Sequence, residues 1–141
     1  MSPSRRTLIA AVCTVASVLL VGCGSDHGTD PSQVGIASTW NLATANGAPL
    51  PFTVPGITPR LDVLSDKLVL KTNGTFTETT EARSINGTTV TPQTIPDGGT
   101  YTVNGTSATF VFNDGTVGVG TITATTLSMT LPTVALVYQK Q

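Results

Sequence analysis

Gly99-Thr100-Tyr101-Thr102-Val103-Asn104-Gly105-Thr106-Ser107-Ala108-Thr109-Phe110-Val111-Phe112 carries the alternation that decides the fold. Tyr101 and Val103 alternate with threonines up to Asn104-Gly105, and beyond that pair Ala108, Phe110 and Phe112 recur at every second position. Successive side chains of a strand point to opposite faces, so a period of two gathers the apolar set on one face. Asn-Gly tolerates the positive φ at adjacent positions that a two-residue type I′ hairpin requires. The stretch reads as two antiparallel strands joined by a tight turn.

The same pattern continues in both directions. Leu68, Leu70 and, across Asn73-Gly74, Phe76 alternate with polar neighbours. Ile122 and Ala124 are spaced by threonine, Leu127, Met129 and Leu131 follow, and Val134 to Tyr138 is nearly continuous in apolar residues. Asn46-Gly47, Asn86-Gly87, Asp97-Gly98 and Asp114-Gly115 supply further turn signals. No helical stripe interrupts the series. Strands are expected near 37–45, 50–55, 61–71, 75–85, 89–95, 99–104, 107–113, 117–125 and 127–139, with one boundary open. Pro49, Pro51, Pro55 and Pro59 make 47–60 an irregular crossing or an edge strand. About eight sequential antiparallel strands close most simply into an up-and-down barrel, which removes the sheet edges. A β-sandwich using 47–60 as a crossing is the alternative. An interior of Leu, Val, Phe and Ala can either fill a small barrel or line a modest cavity.

Composition narrows the class of function. The chain of 141 residues has room for one domain. Seven basic and eight acidic residues leave a formal charge of −1, with no surplus to neutralise phosphates, so a nucleic-acid partner is not expected. About a fifth of the residues are threonine, which favours strands.

The first 22 residues read as an export signal. Arg5 and Arg6 precede an uncharged run from Thr7 to Val21, too short to span a bilayer comfortably as a helix of about 20 residues. The run ends in Leu20-Val21-Gly22-Cys23, which resembles the bacterial lipobox. That resemblance implies a diacylglyceryl group on Cys23 and cleavage before it. Ser4-Arg5-Arg6-Thr7-Leu8-Ile9 partly resembles a twin-arginine export motif, but Leu8 stands in place of Phe and the general secretory route is favoured. Gly24 rather than Asp after Cys23 points to an outer membrane where two membranes exist. The expected organisation is a signal peptide at 1–22, a lipidated Cys23 with a polar tether over 23–35, and a domain over 36–141. His27 falls in the tether with only Asp26 and Asp30 near it, so it reads as a solvated side chain rather than a metal ligand. With Cys13 removed and Cys23 lipidated, the domain has no disulfide to form.

Within the domain, Asp97 and Asp114 read as turn residues, and Asp62 and Asp66, flanking Lys67, as solvated charge. Glu78 and Glu81 are an odd number apart and face opposite ways in a regular strand. Glu78 shares the parity of Phe76. It either enters the interior near the barrel mouth, as a polar anchor for a ligand, or is turned to solvent at a strand end. The rarity of buried unpaired carboxylates favours solvent. A domain without histidine offers no Ser-His-Asp set, and no phosphate loop, zinc spacing or EF-hand loop is present. No enzyme, cofactor or metal is expected.

Several phrases resemble the lipocalin-like domains of small bacterial lipoproteins. They are Ser38-Thr39-Trp40 with Asn46-Gly47-Ala48-Pro49-Leu50-Pro51, then Leu68 to Phe76, Gly99 to Gly105, and Leu136-Val137-Tyr138-Gln139-Lys140. In lipocalins a Gly-x-Trp in the first strand packs against a basic residue of the last and closes the barrel base. Here Ser38 replaces the Gly, while Trp40 and Lys140 stand in suitable places. The resemblance implies a monomeric, lipid-anchored envelope protein binding a small apolar ligand. The alternative is a filled barrel acting on an envelope protein partner, in the manner of barrel-shaped protease inhibitors.

Overall fold

The decisive alternation folds into a hairpin in which Asn104 pairs with Ser107 and Tyr101 with Phe110. The computed structural model describes residues 35–141. Residues 1–22, which read as an export signal, Cys23 and His27 lie outside the described residues. In chain order the strands are β1 Thr39–Ala45, β2 Ala48–Pro49, β3 Phe52–Val54, β4 Arg60–Leu70, β5 Thr75–Asn86, β6 Thr89–Asn104, β7 Ser107–Phe112, β8 Val117–Ile122, β9 Thr126–Thr130 and β10 Ala135–Lys140. From β4 to β10 each strand pairs antiparallel with the next, β10 returns to β1, and β1 pairs with β4. Those eight strands close the barrel that the alternation predicts, and the sandwich alternative falls away.

Closure is incomplete along the β1–β4 seam, and the prolines explain how. Thr39, Trp40 and Asn41 pair with Val69, Leu68 and Lys67. Beyond Asn41 the two strands part. β1 continues against β2 (Thr44 opposite Pro49), and β4 continues against β3 (Phe52 opposite Val63). The proline-rich segment thus forms two short edge strands, one on each side of the wedge, that leave it open between them. Proline has no N–H to donate to a ladder, so the segment cannot extend into a full strand.

Turn chemistry departs from the expectation at five of the six dipeptides. Only Asn46-Gly47, at φ 51° and 76°, has positive φ at both central positions. In the β5–β6 and β6–β7 hairpins the positive φ falls on Gly87 (60°) and Gly105 (62°) alone, while Asn86 and Asn104 pair as the last strand residues. Glycine at the first central position is the type II′ arrangement. Asp97-Gly98 makes no turn. It lies inside β6, because β5 and β6 stay paired from Asn86–Thr89 to Thr75–Thr100. The adjacent Gly99 serves close approach instead, since a Cβ there would collide with the Val111 carbonyl. Conversely, the strand expected over 127–139 is two strands, parted at Pro132, with the Leu131 N–H donating to the Val134 carbonyl at 2.8 Å. Ala124, expected to face inward, is exposed between β8 and β9.

Half of the interior is solid. Phe76 meets Phe110 and Phe112 edge-on at 5.6 and 5.1 Å, and Tyr101 stacks on Phe110 at 6.0 Å. Leu68, Leu70, Val103, Ile122, Leu127 and Met129 complete this end. Gly118 and Gly120 occupy inward positions of β8, and a Cβ on Gly118 would meet the Met129 sulfur at 2.7 Å. Trp40, fully buried, closes the base. Its Nε1 donates to the Ile36 carbonyl at 3.3 Å. Lys140 pairs with Trp40 across β1–β10, holds its Nζ 5.8 Å from the ring centroid, and donates to the Gly35 carbonyl at 3.1 Å.

Candidate functional site: an acid-floored cavity at the open end

The other half of the barrel is hollow. Where β1 and β4 part, a cavity of about 410 Å³ opens between β1, β3, β4, β5 and β10. Its walls are Leu42, Ala45, Phe52, Val54, Val63 and Leu136, and Asn46, Ile57 and the Leu131–Val134 turn stand at its rim. Asp66, Glu78 and Thr80 also line it.

These polar residues reach the cavity by strand parity. Asp66 lies two positions before Leu68 on β4, and Glu78 two positions after Phe76 on β5, so both continue the inward face of the core. Leu68 pairs with Glu78 and Asp66 with Thr80, which makes the two carboxylates diagonal neighbours on that face. From β10, the Tyr138 hydroxyl donates to Asp66 Oδ2 at 2.8 Å and also lies 3.1 Å from Glu78 Oε1. Asp66 is 6% exposed, and its Oδ1 has no hydrogen-bond partner.

This cluster is short of protons. Burial, then the charge of Asp66, pushes the Glu78 carboxyl up to about 8. Burial also raises Asp66, and burial foremost keeps Tyr138 a neutral phenol. With both carboxyls ionised, one phenolic proton would serve two anions in a site screened from water. A proton retained on the pair relieves the repulsion. Glu78 can then donate to the Tyr138 oxygen while Tyr138 donates to Asp66.

The structure corrects three readings of the acidic residues. Glu78 faces the cavity rather than solvent, because β5 runs regularly through it to Asn86. Asp66 is buried, not solvated. Asp62 is buried too, but away from the cavity. A register shift between Val63 and Ser65 reverses the facing of β4, so that Val63 lines the cavity and Asp62 points the other way. There Arg60 (Nε to Oδ1, 2.8 Å), Arg83 (Nη2 to Oδ2, 3.2 Å) and Thr53 (Oγ1 to Oδ1, 2.7 Å) surround it. The Arg60 bond, with Thr53, lowers the carboxyl to about 2. Asp97, within β6, accepts from the Gly98 N–H at 2.7 Å, and Asp114 accepts from the Thr116 N–H at 2.8 Å. A shallow second hollow beside the cavity is lined by Glu78, Asp97 and Asp114. Among the described residues, no group of three or more His, Cys, Asp or Glu is placed to hold a metal ion.

A protein-family model described as a lipocalin-like domain matches residues 36–130, about two thirds of the chain. The chain belongs to the lipocalin-like domain family. No curated protein matches it, and no solved structure does. The matched stretch of this lipocalin-like domain contains Trp40, Asp66 and Glu78, while Tyr138 and Lys140, which complete the cluster and the base, come from the strand beyond it. Sequence reasoning missed the Asp66–Glu78–Tyr138 association. The parity of Asp66 with Leu68 and Leu70 was the available signal.

Proposed function

We propose that this lipocalin-like domain binds a small, mainly apolar molecule in its cavity, as a carrier or sensor and not as an enzyme. The observation that supports the reading is the cavity itself, open at one end and walled by aliphatic and aromatic side chains. Its volume falls within the roughly 300–1,000 Å³ of small-molecule sites. A few polar groups at one place in such a site orient a ligand. Titrating the protein with the apolar fluorophore N-phenyl-1-naphthylamine tests this. Saturable binding at one site per chain, abolished by Ala45→Phe, is the expected result. No uptake would leave the second reading, a module for an envelope protein partner. That reading draws on the exposed Val111, Val117 and Val119 of β7 and β8.

The same proposal places the domain at the bacterial cell envelope, as a monomer held by lipid on Cys23. Its support is the sequence Leu20-Val21-Gly22-Cys23 after a charged start and an apolar run, with Gly24 favouring an outer membrane. Two acyl chains on one residue meet the requirement for stable anchoring. Cys23→Ser should move the protein from the detergent phase to the aqueous phase, and unchanged partition would refute the anchor.

A further inference from the structure

We propose that the cavity selects an organic cation: an apolar molecule ending in an ammonium group, which seats against Asp66 and Glu78. The inference rests on the ligand-binding reading above and specifies its ligand class.

Three observations carry it. First, Asp66 lines the cavity, is more than nine-tenths buried, and keeps Oδ1 without a partner. A buried acceptor left unsatisfied costs stability, and a cationic head beside the Asp66 carboxylate would offset that cost through its charge. Second, the charge around the cavity has one sign. Asp66 from β4, Glu78 from β5, Asp97 from β6 and Asp114 after β7 line the cavity or the hollow beside it, and no lining residue of either is basic. Third, the domain's cations are engaged or directed elsewhere. Arg60 and Arg83 bind Asp62 on the opposite face of β4, and Lys140 lies over Trp40 at the closed base. Lys67 is exposed on β4 next to inward-facing Asp66, and Lys71 is exposed in the β4–β5 turn.

The Asp66–Tyr138–Glu78 cluster therefore lacks one positive charge. A proton retained on Glu78, whose carboxyl burial pushes up to about 8, offsets part of that deficit. An ammonium head would take over from it, with three N–H donors against two carboxylates and the phenol oxygen. The alkyl part would lie along Leu42, Phe52, Val63 and Leu136. A carboxylate-headed ligand would meet repulsion at the same floor.

Calorimetric titration of the purified protein with n-octylammonium, n-octanol and octanoate tests the assignment. All three share a tail and differ at the head. Octylammonium should bind at least about tenfold tighter than octanol, with octanoate weakest. Its binding at pH 7 should release up to about one proton, read from the difference in heat between phosphate and Tris buffers. The near-isosteric double variant Asp66→Asn, Glu78→Gln should still bind octanol but lose the preference for the amine and the proton release. Octanol or octanoate binding as tightly as the amine would overturn the cation assignment and leave the cavity reading standing, as would a preference that survives in the double variant. Failure of all three to bind would overturn both.

Discussion

The Tyr138 hydroxyl donates a 2.8 Å hydrogen bond to Asp66 Oδ2 and so ties the last strand of the barrel to the fourth across its interior. Asp66 Oδ1 has no partner, so the bond from this phenol is the direct one to the carboxyl's other oxygen. Tyr138→Phe removes the donor while keeping the ring. A loss of about 1–3 kcal/mol is expected at pH 7, measured by urea unfolding. The loss should grow at pH 9, where the Glu78 carboxyl, pushed up to about 8, has given up its proton and can no longer donate in place of the phenol. An equal loss at both pH values would mean that the phenol hydroxyl does not serve the carboxylates.

The acidic cluster sets an unusual pH dependence. Glu78 titrates from 4.5 in the unfolded chain to about 8 in the fold. The folded state binds more protons in that window, so the Glu78 contribution is complete below pH 4.5 and is lost as pH rises through about 8. The domain should lose roughly 1–3 kcal/mol between about pH 5 and pH 8.5, and Glu78→Gln should flatten that slope. A rise in melting temperature over the same range would contradict the shared proton.

Asp62 has the opposite linkage. Its carboxyl is lowered from 3.8 to about 2 by Arg60 and Thr53, with Arg83 adding to them. Its contribution is present above pH 3.8 and is lost as pH falls through 2. Asp62→Asn should lower the melting temperature at neutral pH and reduce the acid sensitivity below about pH 4. A mutant as stable as the parent at pH 7 would show that the three-strand ladder of Thr53, Asp62 and Arg83 adds nothing to the fold.

At the closed base, Trp40 and Lys140 differ in weight. Trp40 is fully buried and its indole nitrogen is hydrogen-bonded, so Trp40→Ala should cost about 3–5 kcal/mol. Lys140 is half-buried and holds its Nζ 5.8 Å from the ring centroid, and Lys140→Ala should cost about 0.5–1 kcal/mol. Denaturant midpoints separate the two, and comparable losses would make the cation, not the plug, the base of the barrel.

The sequence by itself determined the strand grammar. Tyr101, Val103, Ala108 and Phe110 alternate because each strand has one wet face, and that constraint is local, written at every second residue. The proline-rich 47–60 segment was legible as edge strand for an equally local reason, its missing N–H groups. Whether Asp97-Gly98 turns was not local. The pairing of β6 with β5 decided it, and twelve cross-strand partners along the hairpin outweigh the propensity of one dipeptide. The cavity was also a tertiary outcome, because it exists only where β1 and β4 part and β3 cannot fill the gap. The acidic floor followed from the same closure. Parity could send Asp66 and Glu78 inward, but only the return of β10 beside β1 brings Tyr138 to them from 72 and 60 residues away. Their environment, and therefore their charge, depends on which side chains the closed barrel places against them.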